Sequence, residues 1–283
     1  MLDLVINLDE IGCDIIKSIF EMKNFGINQC EIRLVGNRNI AQLSEKECIN
    51  LKKILDSFHL EAYIIDSPIF KWKLFKQDIK IDYKKLDLFG IKPDLDEREK
   101  IFLTNNVLRN AKLLGAKNIR IFSGIDCKVK EFLGSRQFNK LIKENLEFNF
   151  LVENETSCAV KSLMDLTKVA EYIEVNSFKN VGILFDVGNA ALVERGFKIT
   201  DMSKIKNFVQ HVHLKNFIHE NDVVKFVNLE EGELNYKQIF EFLEENLRDR
   251  EVKLGVETDV WSPQCRKKTF FKSVDFFKKC VEG

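Results

Sequence analysis

The sequence predicts an α/β fold, a single (β/α)8 TIM barrel with an extended loop after the third strand, spanning residues 1–283 as one domain. Apolar strand-like runs alternate with amphipathic segments from end to end of the 283 residues. Most strand-to-strand intervals are about 26 to 33 residues, the size of a βα unit. Four runs in the second half each carry a metal-loving side chain at or near the C-terminal end: Glu153 in NFLVENE, Asp186 in VGILFDVGN, His213 in FVQHVHLKN and Glu257 in VKLGVETD. These side chains can converge only if their strands are parallel and neighbouring, which is the geometry of a barrel mouth.

The elements follow in order. Strands are expected at residues 2–7, 29–35 and 61–65, with an amphipathic helix over 45–58 between the second and third. Ser44 followed by Glu47 is a capping-box signature for that helix. After the third strand comes an aromatic and lysine-rich insertion, 67–95, then a helix over 97–114. The fourth and fifth strands are 118–122 and 148–152, followed by a helix over 160–175. Strands at 181–185 and 209–214 come next. The interval before the eighth strand, 252–257, is also long: it holds a polar stretch, 219–232, and a helix over 236–247. A helix over 269–281 completes the series. Loops that follow barrel strands lie on the catalytic face, so the insertion should cover the mouth, as a lid or as packing.

Composition narrows the function classes. With 45% hydrophobic residues the chain can bury a sizeable core, and 44 basic against 44 acidic residues leave no net field for nucleic acid or an anionic membrane. The opening MLDLVINLDE is acidic and strand-like rather than an export signal, and no run of about 20 apolar residues suggests a membrane span. A cytoplasmic location is expected. The 7 cysteines are scattered and form no Cys-x-x-Cys pair, so they read as reduced, mostly buried small hydrophobes. Three prolines mark no linker or domain boundary.

Three carboxylates and one imidazole offer mostly hard oxygen donors. Such a set suits one divalent cation, Mn2+ or Mg2+ before Zn2+ or Co2+. Each residue alone has a plainer use: Asp186 could cap a turn, Glu153 or Glu257 could form a salt bridge, and His213 could be a core histidine. Four such ends on successive units favour a common site. His211 and His213, two apart on a strand, point to one face; if His213 reaches the mouth, His211 sits one layer deeper, where it supports the metal ligands, contacts substrate or is purely structural. Lys215, Arg33, Glu31 and Arg120 lie on strands feeding the mouth and are candidates for hydroxyls or anionic groups, or for internal ion pairs. In the insertion, Lys71 between Phe70 and Trp72 is a candidate substrate contact, while the two aromatics either close over a sugar or pack the loop onto the barrel. Glu155 either supports the site or is solvated.

The succession LVEN, FDVGNA, HVHLKN, LEEGELNY and LGVETD, with CEIRLVG and NIRIFSG earlier, resembles the xylose-isomerase-like barrel superfamily, in particular its sugar phosphate isomerase/epimerase branch. The resemblance implies that Glu153, Asp186, His213 and Glu257 hold one divalent metal, and that Glu153 and Glu257 form an acid/base pair on opposite faces of substrate. It implies a metal-dependent isomerase or epimerase of a small sugar, sugar phosphate or polyol-derived ketone, acting by proton abstraction through a metal-stabilised enediolate. The partner would be a small carbohydrate, with no nucleic acid or membrane and with a homo-oligomer allowed. There are departures. Asn189 stands where relatives have a histidine contacting substrate or metal, Asn216 where many have aspartate, and Glu230 where many have glycine. A dehydratase using the same enolate chemistry and a non-catalytic carbohydrate-binding barrel are the alternatives. An apurinic endonuclease with a histidine-rich zinc cluster is disfavoured by only 4 histidines and balanced charge.

Overall fold

The structure, a computed structural model, describes residues 2–75, 90–221 and 223–281. In chain order the strands are β1 (Asp3–Asn7), β2 (Gln29–Ile32), β3 (Leu34–Val35), β4 (Arg38–Asn39), β5 (Glu61–Ile65), β6 (Asn118–Ile121), β7 (Asn149–Glu153), β8 (Val181–Asp186), β9 (Val209–Leu214), β10 (Asn216–Glu220), β11 (Val223–Val227) and β12 (Lys253–Val256). Eight of them close a barrel in the order β1-β12-β9-β8-β7-β6-β5-β2, every pair parallel. Parallel neighbours need crossovers, and the intervening helices supply most of them. This is the expected TIM barrel.

Register explains how distant residues meet. Asp186 on β8 pairs with His213 on β9, and Gly255 on β12 pairs with His213 from the other side. Side chains alternate across each strand, so a position and its neighbour two along face the same way. Ile64, Leu151 and Leu184 pack together as a small apolar cluster separate from the main core. Leu151 and Leu184 lie two residues before Glu153 and Asp186, so the apolar cluster forms the floor and the charged residues the layer nearer the C-terminal rim. The main core lies between barrel and helices, with Ile119, Ile121, Phe150, Ile183, Phe185 and Val212 fully buried in it.

Local signals behave as their chemistry requires. Ser44 and Glu47 form the capping box of Glu45–Ser57, and Asp96 and Glu99 form another at Glu97–Leu114. That second helix ends on Gly115 at φ 77°, the left-handed cap glycine adopts without strain.

Most expected boundaries hold to within a few residues, and three differences are larger. The strand expected over 29–35 leaves the barrel after Ile32, because Leu34–Val35 pairs antiparallel with Arg38–Asn39 instead. The polar stretch read as loop at 219–232 contains most of a hairpin, β10 with β11, whose second strand is the short β-branched run VVKFV. Asn221 in its turn adopts φ 52°, which asparagine tolerates better than most residues. The last helix starts earlier, at Pro263, since proline suits a first helical turn.

The first part of the insertion packs down: Phe70 is 5% exposed and Trp72 1%. Backbone bonds from Phe122 and Gly124 to the carbonyls of Ile69 and Phe70 pin it beside the end of β6. Residues 76–89 of the expected insertion lie outside the described residues. No helix among the described residues is long and apolar enough to cross a membrane.

Candidate metal centre

Glu153, Asp186, His213 and Glu257 come together at the C-terminal rim. Each offers a donor atom, and these four atoms lie within 4.8 Å of one another. All four residues are buried. His213 Nδ1 stands 3.1 Å from Glu153 Oε1 and 3.7 Å from Glu257 Oε2. Above them is a cavity of about 360 Å³, lined by Arg33, Lys71, Arg120, Glu153, Asn189 and Glu257 among others.

Burying three carboxylates requires compensating charge. Lys215 supplies part of it: its ammonium is 3.0 Å from Asp186 Oδ2, 2.9 Å from Glu257 Oε2 and 2.6 Å from Asp259 Oδ2. Gly188 makes this placement possible, because a Cβ there would lie 2.1 Å from Lys215 Cγ. Arg33 bridges Asp9, Glu10 and Glu257. Arg120 lies 3.3 Å from Glu153 and 3.8 Å from Glu257.

Proton affinities follow from this arrangement. Burial lifts the Asp186 carboxyl to about 7, with Lys215 opposing the rise. Burial also pushes Glu257 upward, but Lys215 and Arg33 outweigh it and hold the carboxyl well below its ordinary range. For His213 burial disfavours the charged ring, yet Glu31 and Glu153 together raise it well above the ordinary histidine value. At Glu155, burial is likewise outweighed by Lys71 and Lys215, leaving it at about 2.

The donor set fits a hard or borderline divalent cation. Glu153 Oε2 and Asp186 Oδ2 are buried and accept no hydrogen bond, although Arg120 and Lys215 stand nearby as charges. Buried polar atoms rarely stay unsatisfied. A cation held by Glu153, Asp186, His213 and Glu257 would satisfy them.

The remaining expected residues divide. Arg33, Arg120, Asn189 and Lys71 line the cavity. Lys71 donates to Glu155 Oε2 at 3.1 Å, and Asn189 donates through its side chain to the Asn154 carbonyl and through its backbone to Asp186. His211 and Glu31 do not line the cavity. His211 is fully buried, and its Nε2 is 2.6 Å from Glu31 Oε1, one layer down as its spacing from His213 dictates. Lys215 is also absent from the lining, its ammonium being turned into the carboxylates. Asp9, Glu10 and Asp259 line the cavity without having been anticipated, and Asp66 lies buried beside Arg120. Carboxylates just past the first, third and eighth strands were the available signal.

A family model described as xylose isomerase-like TIM barrel matches residues 19–280. The chain belongs to that family. No curated protein matches the sequence. Solved structures of this xylose isomerase-like barrel share the fold at low identity. The probable 3-DHS dehydratase AsbF from Bacillus anthracis has a TM-score of 0.70 and 14% identity, with 98% of this chain and 99% of that chain covered. A D-tagatose 3-epimerase-like protein has a TM-score of 0.69 and 16% identity, covering 100% of this chain and 97% of that one. The IOLI protein with a binding zinc atom has a TM-score of 0.69 and 15% identity, covering 99% and 96%.

Proposed function

We propose that this barrel is a divalent-metal-dependent isomerase or epimerase of a small sugar, sugar phosphate or polyol-derived ketone. The observation that carries the reading is the placement of two glutamates from well-separated strands, β7 and the end of β12, in one buried cluster with Asp186 and His213. A cation held by the four donors would polarise a substrate carbonyl and stabilise the negative charge that gathers on its oxygen.

The chain's own groups then handle the proton. Glu257 is held ionised by Lys215 and Arg33, the state required to accept a proton from the carbon beside the carbonyl. Glu153, three strands away on the rim, would take a proton from solvent and give it to the other face, balancing the one that Glu257 removes. Arg33, Arg120, Lys71 and Asn189 line the space above and orient hydroxyl or anionic groups. The buried Ile69, Phe70 and Trp72 fix the segment that carries Lys71. Mn2+ or Mg2+ suits the oxygen-rich donor set, and the zinc atom bound by the IOLI protein supports a softer ion as the alternative.

A dehydratase would begin with the same proton abstraction and differ in the fate of the product, and AsbF makes it the second reading. Incubation in heavy water with a panel of ketoses, their phosphates and inositol-like ketones tests the proposal. Deuterium at the carbon beside the carbonyl supports it, and loss of water from the product would select the dehydratase. No exchange with any panel member in the manganese-loaded protein would count against both.

A further inference from the structure

Below the proposed metal ligands lies a second group of buried polar side chains: Glu31, His211 and His213. Glu31 comes from β2, across the barrel from β9, and is 1% exposed. One of its oxygens is committed, Oε1 standing 2.6 Å from His211 Nε2. The other, Oε2, is buried without a hydrogen bond and lies 3.6 Å from His213 Nε2, which is also buried without one. A buried ring nitrogen and a buried carboxylate oxygen left facing each other are natural partners, and a small rotation of either side chain makes the bond.

Room for this carboxylate is provided by a residue on another strand. Gly255 pairs with His213 in register, and a Cβ at Gly255 would lie 2.1 Å from Glu31 Oε1. Tyr63 supports the far side, its ring 5.5 Å from that of His211. Glu31, His211 and Gly255 thus form a fitted set beneath His213.

We infer that Glu31 is a positioning residue for the proposed metal centre: it holds the His213 ring so that Nδ1 faces Glu153 and Glu257, and Gly255 leaves the space that it occupies. Neither residue touches the cavity, so the effect passes entirely through the imidazole. A ligating histidine whose other nitrogen is bonded to a carboxylate keeps one tautomer and one orientation, and losing that partner typically weakens metal binding about 10- to 100-fold. This inference rests on the metal reading above.

The experiment is titration of metal-free protein with Zn2+ for wild type, E31Q, E31A, G255A and E31A/G255A, with circular dichroism to verify folding. The clash in G255A falls on the far end of a flexible side chain, so the variant should fold while displacing the Glu31 carboxylate. Wild type should bind one equivalent, and E31Q and G255A should each bind about 10- to 100-fold more weakly. In E31A/G255A the alanine has no carboxylate to displace, so its affinity should equal that of E31A. Long-range 1H–15N spectra of the zinc-loaded protein should show His213 protonated at Nε2 in wild type and a mixture of ring states in E31Q.

Equal affinity and an unchanged His213 spectrum in folded E31Q and G255A would overturn the inference while leaving the metal reading intact. Two equivalents in wild type, with one lost in E31Q, would make Glu31 a ligand and also overturn it. Failure of wild type to bind zinc at all would remove the metal reading and this role together.

Discussion

Lys215 Nζ lies 3.0 Å from Asp186 Oδ2, so a side chain proposed to hold a metal ion already has a fixed cation as neighbour. With Glu257 and Asp259 also in contact, Lys215 balances part of the negative charge at the rim. Removing one partner of a buried ion pair destabilises by about 3–5 kcal/mol. Lys215→Met should therefore weaken the metal-free fold by about that amount, and added Mn2+ should recover more stability in the variant than in wild type. Urea unfolding with and without chelator measures both effects; unchanged stability would show that the lysine is not needed as a counter-charge.

Gly188 gives an independent approach to the same lysine. Its Cβ would meet Lys215 Cγ at 2.1 Å and the Lys215 carbonyl oxygen at 3.0 Å, and the second obstacle is backbone. Gly188→Ala should destabilise by about 1–3 kcal/mol as an overpacked core does, in thermal or urea unfolding. A neutral result would mean that the Lys215 stem can move aside freely.

Glu257→Gln preserves size but removes the proton acceptor. Turnover and solvent deuterium exchange on a substrate found by the heavy-water panel should fall about 10²- to 10⁴-fold with the fold retained. Wild-type exchange rates in the folded variant would reassign the base.

Acid–base behaviour away from the proposed ligands has its own signature. Asp66 is buried, and burial lifts its carboxyl to about 8, with Arg120 opposing the rise. A carboxyl raised in the folded protein binds its proton more tightly there than in the unfolded chain. Its contribution to stability is full below the unfolded value, near 4, and is lost as pH rises through about 8. In Asp66→Asn that loss should be missing. Melting temperatures of metal-free wild type and variant between pH 5 and pH 8.5 should diverge, with wild type falling more; parallel curves would mean that Asp66 titrates normally.

The barrel and the convergence of Glu153, Asp186, His213 and Glu257 were legible because both depend on short-range patterns. Runs such as VGILFD bury every residue, and a charge at their C-terminal end has few places to go except the rim. What could not be read was reach across the barrel. Glu31 and Arg33 are two apart on the chain and were treated alike, yet Arg33 lines the cavity while Glu31 sits beneath it. That difference depends on β2 ending at Ile32 and on the space left by Gly255, more than two hundred residues away. Asp9 and Glu10 were missed because their short helix, Leu8–Ile11, is too brief to show a period. The β10–β11 hairpin was hidden by the polar residues around its turn.

Glu153, Asp186, His213 and Glu257 are proposed to bind one cation together, and the chemistry of the rim depends on it. Calorimetric titration of metal-free protein with Mn2+, repeated on folded Asp186→Asn and His213→Ala, tests this directly. One equivalent for wild type, with binding weakened or lost in both variants, is the predicted result. No stoichiometric binding by wild type, or equal affinity in all three proteins, would contradict it.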